Sequence, residues 1–207
     1  MQPRRAAPLR LLLGCVACLV PAAAEAHTAV QGVGSFWSGV AHLLTSLDQL
    51  GFLLGLAIWT SFQDRALDAR VIGVASGAAL AGVWAGLALG GFAPIDFAAL
   101  APAPMIVVGL AGALGWRGRV GAQLGVAALG GVVGGAASAD AVSGLSVALF
   151  SLGASIAVAS VLSYGLLAAR RLDAEWGRIA RRAGASWIAA IGLMTLALSF
   201  ARHSGPV

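Results

Sequence analysis

Six apolar runs dominate this sequence and leave few folds open to it. They cover residues 36–60, 71–89, 97–116, 120–137, 144–169 and 185–201. The hydrocarbon layer of a bilayer is roughly 30 Å thick, which takes about 20 helical residues to cross. Inside it every peptide group needs a partner within the protein, so short-looped runs of this length fold as helices. Only 10% of the residues are charged and 59% are hydrophobic, against about a quarter charged in a soluble domain. The expected fold is an all-α integral membrane protein. It is a bundle of about six transmembrane helices, with one domain over residues 27–207. The lipid bilayer is its first partner.

Residues 1–26 read as a cleavable secretory signal. Arg4, Arg5 and Arg10 form the charged start, an apolar stretch covers 11–23, and Ala24-Glu25-Ala26 has the small-x-small form of a cleavage site. Cleavage after Ala26 makes His27 the new N-terminus, where the α-amino group and the imidazole can chelate a metal together. Cys15 and Cys18 both lie in the removed segment. The mature chain then has neither a disulfide nor a thiolate ligand.

The arginines set the expected orientation. The loops after the first, third and fifth runs carry Arg65, Arg70, Arg117, Arg119, Arg170, Arg171, Arg178, Arg181 and Arg182. The loops after the second and fourth carry none, and the tail holds only Arg202. The positive-inside rule places the odd loops in the cytoplasm and both mature ends outside. The chain is therefore expected in the bacterial inner membrane with periplasmic termini. Arginines spread over loops, rather than gathered on one face, argue against a nucleic-acid partner although the net charge is +5. Asp64, Asp68, Asp173 and Glu175 fall among these arginines and read as solvated loop charges.

The first run is the unusual one. It carries His42, Asp48 and Gln49 within the sequence FWSGVAHLLTSLDQLGFLLGLAIW. If it is one continuous helix, Asp48 lies near mid-membrane. A carboxylate there costs about 2.5–3.5 kcal/mol on the gentlest scale. A cation, a proton or a partner side chain must offset that. In a continuous helix His42 and Gln49, seven apart, share a face. Asp96 and Asp140 fall in turns on the outer side, where Asp is ordinary turn chemistry. Oxygen and imidazole groups without a counter-charge favour cations. Trp37, Trp59, Trp116 and Trp187 lie near run ends and read as interfacial anchors. Gly51/Gly55, Gly73/Gly77, Gly82/Gly86/Gly90, Gly121/Gly125 and Gly130/Gly134 are each four apart, the spacing that lets helices approach closely.

The segment from His42 to Leu50, HLLTSLDQL, resembles the signature of the HupE/UreJ family, roughly His-Pro-x-x-Gly-x-Asp-His-Leu. His27 directly after Ala26 and the lead-in Gly34-Ser35-Phe36-Trp37-Ser38-Gly39 fit the same family. The resemblance covers the whole mature chain. It implies nickel uptake for hydrogenase and urease maturation, with His27, His42, Asp48, Gln49 and Asp140 as metal ligands. Leu43 stands where the family has Pro, Ser46 where it has Gly, and Gln49 where it has the second His. The family's other signature, His-Gly-x-x-His-Gly-x-Glu, falls on residues 133–140, where only Gly134 and the acid Asp140 remain. Nickel favours nitrogen ligands.

Two functions are therefore expected as alternatives. One is a secondary permease for a divalent transition-metal ion, nickel or cobalt, which is transported and not held as a tightly bound cofactor. The other is a non-transporting membrane subunit or assembly factor, with membrane-protein partners or a second copy of the chain. An enzyme is not expected. Ser155 has no histidine in the second to sixth runs to activate it, and no HExxH zinc motif occurs.

Overall fold

The computed structural model describes residues 34–90, 96–172 and 174–203, without the side chains of Arg202 and His203. The expected signal segment, His27 and Asp173 lie outside the described residues. Among the described residues the protein is all helical. Its helices are α1 (Ser35–Thr45), α2 (Leu47–Thr60), α3 (Asp68–Leu89), α4 (Phe97–Leu100), α5 (Pro102–Leu114), α6 (Val120–Ala137), α7 (Val147–Arg171) and α8 (Glu175–His203). Single 3-10 turns, Arg65–Leu67 and Ala139–Val142, lead into α3 and follow α6. Five segments are long and apolar enough to cross a membrane, and the bent pair α1–α2 makes six if counted as one span.

The first run departs from expectation, because it is not one helix. The chain breaks at Ser46 and α2 runs at 72° to α1. The hydroxyls ahead of Asp48 explain why. Thr45 Oγ1 donates to the Ala41 carbonyl at 2.9 Å, and Ser46 Oγ donates to the His42 carbonyl at 2.7 Å. Side chains that bond back to the last carbonyls compete with the helix ladder and favour its end. Ser46 itself takes extended backbone angles, φ −80° and ψ 102°. Asp48 thus sits in the first turn of a new helix instead of the middle of an old one. With the axis broken between them, His42 and Gln49 no longer share a helical face.

The last run is longer than expected. Helix α8 starts at Glu175, so most of the stretch read as a loop is helical. Glu175 in the first turn complements the positive end of the helix. The arginines and alanines that follow are good helix formers. Two of those arginines also find partners on other helices, as described below.

Helix α2 lies at the centre, against α5, α7 and α8, while α3 packs along α6, α5 along α8, and α1 along α7. Leu53, Leu56 and Trp59 of α2 are buried in the main core. Trp59 is 0% exposed, which corrects its reading as an interfacial anchor. Its ring stacks on Trp116 at 5.6 Å, and its indole N–H donates to the Trp116 carbonyl at 2.8 Å. Trp37, Trp116 and Trp187 are exposed, as interfacial residues should be.

Of the four-apart glycines, Gly51, Gly55 and Gly130 meet side chains, and two further groups contrast with each other. Gly82 and Gly86 press on the backbone of Val132 and Ala136 across the α3–α6 contact. Gly73, Gly77, Gly121 and Gly125 face open space, with no atom within 4 Å of where a methyl group would stand. The second group therefore does not mediate the close approach that the spacing suggested.

The arginine-bearing end is tied together by helix carbonyls. Arg170 pairs with Asp68 through two bonds, Nε to Oδ2 at 2.8 Å and Nη2 to Oδ1 at 2.5 Å. It also reaches the carbonyls of Thr60, Ser61 and Gln63 at 3.3–3.4 Å, beyond the end of α2. Asp68 is therefore no solvated loop charge; its side chain is 25% exposed and that of Arg170 12%. Arg181 is buried, donates to Ser61 Oγ at 3.1 Å and lies over the Phe62 ring at 4.7 Å. Arg182 donates to the Ala113 carbonyl at 2.7 Å. Cations on the last carbonyls of helices satisfy groups that the helix leaves unpaired and favour its negative end.

Candidate metal-ion site

Asp48 and Gln49 line a narrow cavity between α2, α6 and the start of α5. Each is held by a different device. The break at Ser46 places Asp48 in the first turn of α2, where a carboxylate is stabilised by the positive end of the helix. Asp48 is half-buried. Among the described residues no side chain or peptide group bonds its carboxylate. Gln49 is tied across to α6. Its Nε2 donates to the Gly134 carbonyl at 3.1 Å and to Ser138 Oγ at 3.0 Å. Ser138 Oγ in turn donates to the Gly134 carbonyl at 2.9 Å. Both amide protons are thus used, and neither bond engages Oε1.

Phe52 closes the cavity one turn along α2. Its ring lies where a side chain at residue 130 would stand, so Gly130 on α6 makes the space that the ring fills. The cavity measures about 30 Å³, above the roughly 10–15 Å³ that a single water molecule needs. The carboxylate of Asp48 and Oε1 of Gln49 are oxygen donors of the kind that hard or borderline cations accept.

The other expected ligands lie elsewhere. His42 is buried in the last turn of α1, with its ring 5.8 Å from that of Phe150 on α7. It does not line the cavity. Asp140 is exposed in the 3-10 turn after α6, two residues from Ser138, and is also absent from the lining. Asp96 caps α4 by accepting from the Ala99 amide at 3.0 Å. Among the described residues no three His, Cys, Asp or Glu side chains come together as a metal cluster. The structure thus brings Asp48 and Gln49 to one place and leaves His42 and Asp140 out of it.

Two polar residues escaped the sequence reading. Ser138 completes the Gln49 network. Gln123, fully buried at the other end of α6, donates to Thr60 Oγ1 at 2.6 Å, while its Oε1 has no hydrogen-bond partner among the described residues. Gln123 is the one polar side chain in the α6 sequence VGAQLGVAALGGVVGGAA. That isolation was the available signal, because a polar group inside a span must find a partner or a purpose.

The Gln49 bonds carry a prediction. Gln49→Leu removes both bonds to α6 and leaves a buried carbonyl partly unsatisfied. A loss of about 1–2 kcal/mol in stability is expected, read as a lower midpoint of thermal unfolding in detergent. An unchanged midpoint would mean that the amide does not hold α2 to α6.

Five to six helices long and apolar enough to cross a bilayer, one pair of them broken just before a carboxylate, define a multi-pass membrane protein. Residues 15–195 match the family described as HupE / UreJ protein, and the chain belongs to that family. Comparison with curated proteins and with solved structures gives no match.

Proposed function

We propose that this protein is a secondary permease for a divalent transition-metal ion, with nickel or cobalt as the transported substrate. The carrying observation is Asp48, a half-buried carboxylate in an apolar stretch that lines a cavity and has no bonded partner among the described residues. Such a group needs compensation, and a passing cation supplies it. Discontinuous spans whose half-helix ends meet at a site carrying a few polar groups are a recurrent way for transporters to hold an ion within the membrane. Membership of the family supports nickel or cobalt as the ion. His27 would serve as an outer capture ligand, and His42 and Asp140 would act, if at all, before the ion reaches the cavity.

A second reading is favoured by one observation. Where the family motif places an imidazole, Gln49 spends its amide on joining two helices. A chain in which the metal-binding position has become a structural tie suits a membrane subunit or assembly factor.

Uptake of radiolabelled nickel and cobalt by cells expressing the protein separates the two. Asp48→Ala is expected to reduce uptake at least about tenfold, the effect of losing a charged ligand worth about 1.4 kcal/mol or more. Equal uptake by the variant and the unaltered protein would remove Asp48 from the mechanism. Stoichiometric protein partners in mild detergent, together with no metal above background by elemental analysis, would favour the second reading.

A further inference from the structure

At the arginine-bearing end, a groove of about 460 Å³ runs between α3 and α7. It lies far from Asp48 and has no part in the permease reading. Its rim is Arg65, Arg170 and Arg171, with Asp68 beside them. Arg170 neutralises Asp68 through their paired bonds. Arg65 and Arg171 are exposed, and no acid partner is bonded to either among the described residues. Among the described residues the groove therefore carries two guanidinium groups with no bonded acid beside a neutral pair. Its lower wall is Ile72, Leu166 and Leu167, the last half exposed. Ser163 supplies a hydroxyl about one turn further along α7 from the rim than Leu166 and Leu167.

Charge above and hydrocarbon below is the profile of one kind of ligand. An acidic peptide would meet the guanidinium groups but leave Leu167 uncovered. A free fatty chain would cover the leucines but leave the cations unmatched. A phospholipid with an anionic headgroup satisfies both. Guanidinium groups bind phosphate oxygens through paired N–H donors. Basic pockets between spans at the cytoplasmic surface are a known habit of proteins that hold acidic lipids. The arginine count assigns this end to the cytoplasmic side. We propose that the groove between α3 and α7 binds an anionic phospholipid, with Arg65 and Arg171 on its phosphate and an acyl chain along Ile72 and Leu167.

Delipidated full-length protein in detergent, titrated separately with phosphatidylglycerol, phosphatidylcholine and inorganic phosphate, tests this by native mass spectrometry. The expected result is one retained phosphatidylglycerol at concentrations where neither phosphatidylcholine nor phosphate is held. The double variant Arg65→Gln, Arg171→Gln is expected to bind it about 30-fold more weakly, about 1 kcal/mol for each guanidinium. Arg170 is left intact because it holds the fold. Leu167→Gln, at an exposed position, is the second variant and is expected to weaken the lipid while leaving the thermal midpoint unchanged. Equal retention of phosphatidylglycerol by the unaltered protein and both variants would overturn the proposal. So would phosphate binding as tightly as the lipid, or phosphatidylcholine binding as tightly as phosphatidylglycerol.

Discussion

Gly135→Ala is expected to destabilise the bundle by about 3 kcal/mol or to prevent its folding, whereas Gly125→Ala, on the same helix, should leave stability within about 0.5 kcal/mol. The difference lies in what each methyl group meets. At Gly135 it would collide with the Ala79 carbonyl oxygen and come within 3.0 Å of Gly82 Cα and Val83 N. All three are backbone atoms of α3, so no side chain can turn aside. Overpacking that side chains can absorb costs about 1–3 kcal/mol, and backbone against backbone lies at or beyond the upper end. At Gly125 nothing lies within 4 Å, and surface changes away from special features stay within about 0.5 kcal/mol. Thermal unfolding in detergent, with size-exclusion profiles as a check on aggregation, distinguishes the two. Equal midpoints for both variants would mean that α3 and α6 are not in backbone contact.

Arg170→Ala is expected to lower stability by about 3–5 kcal/mol, the range for removing one partner of a largely buried ion pair. The side chain does two jobs. It compensates Asp68, and it reaches the carbonyls of Thr60, Ser61 and Gln63 at and just beyond the end of α2. Asp68→Asn should cost less, about 1–2 kcal/mol, because the guanidinium keeps those carbonyls. A double-mutant cycle separates the roles. If Asp68→Asn proves as damaging as Arg170→Ala, the carbonyl contacts contribute little and the ion pair carries the whole effect.

Much of the fold was legible because the bilayer imposes a length. Apolar runs of about 20 residues admit one local structure, and the second to fifth runs are helical close to where the sequence placed them. The break in the first was not read. Hydrophobic content reports whether a stretch can sit in lipid, not whether its axis stays straight, and the α1–α2 pair is apolar enough when taken together. The clue was Thr45 and Ser46, two hydroxyls placed to bond the carbonyls of the preceding turn. The start of α8 was misplaced for a related reason. Charge in the stretch 170–182 looked like a loop, yet Arg181 and Arg182 are used by neighbouring helices.

The site was legible in part. Asp48 and Gln49 stood out as polar groups in an apolar run, and they line the same cavity. Grouping His42 with Gln49 depended on a continuous helix, and the grouping fails with it. The glycine spacing located surfaces suited to close approach without showing which had a neighbour. Gly82 and Gly86 met α6, while Gly73 and Gly77, on the same helix, met nothing. The bond between Arg170 and Asp68 joins residues 102 apart in the chain. No local pattern announces such a pair, because only the antiparallel course of α3 and α7 brings the two ends together.

The break at Ser46 also bears on how long an occupant stays. A cation resting on Asp48 would meet a carboxylate whose negative charge is partly drawn off by the peptide dipoles of the helix it begins. That makes a shallow well. A storage site surrounds its ion with several ligands and gives it up slowly; a conduit must let it go as readily as it admits it. One acid at the start of a half-helix suits brief residence and quick onward release.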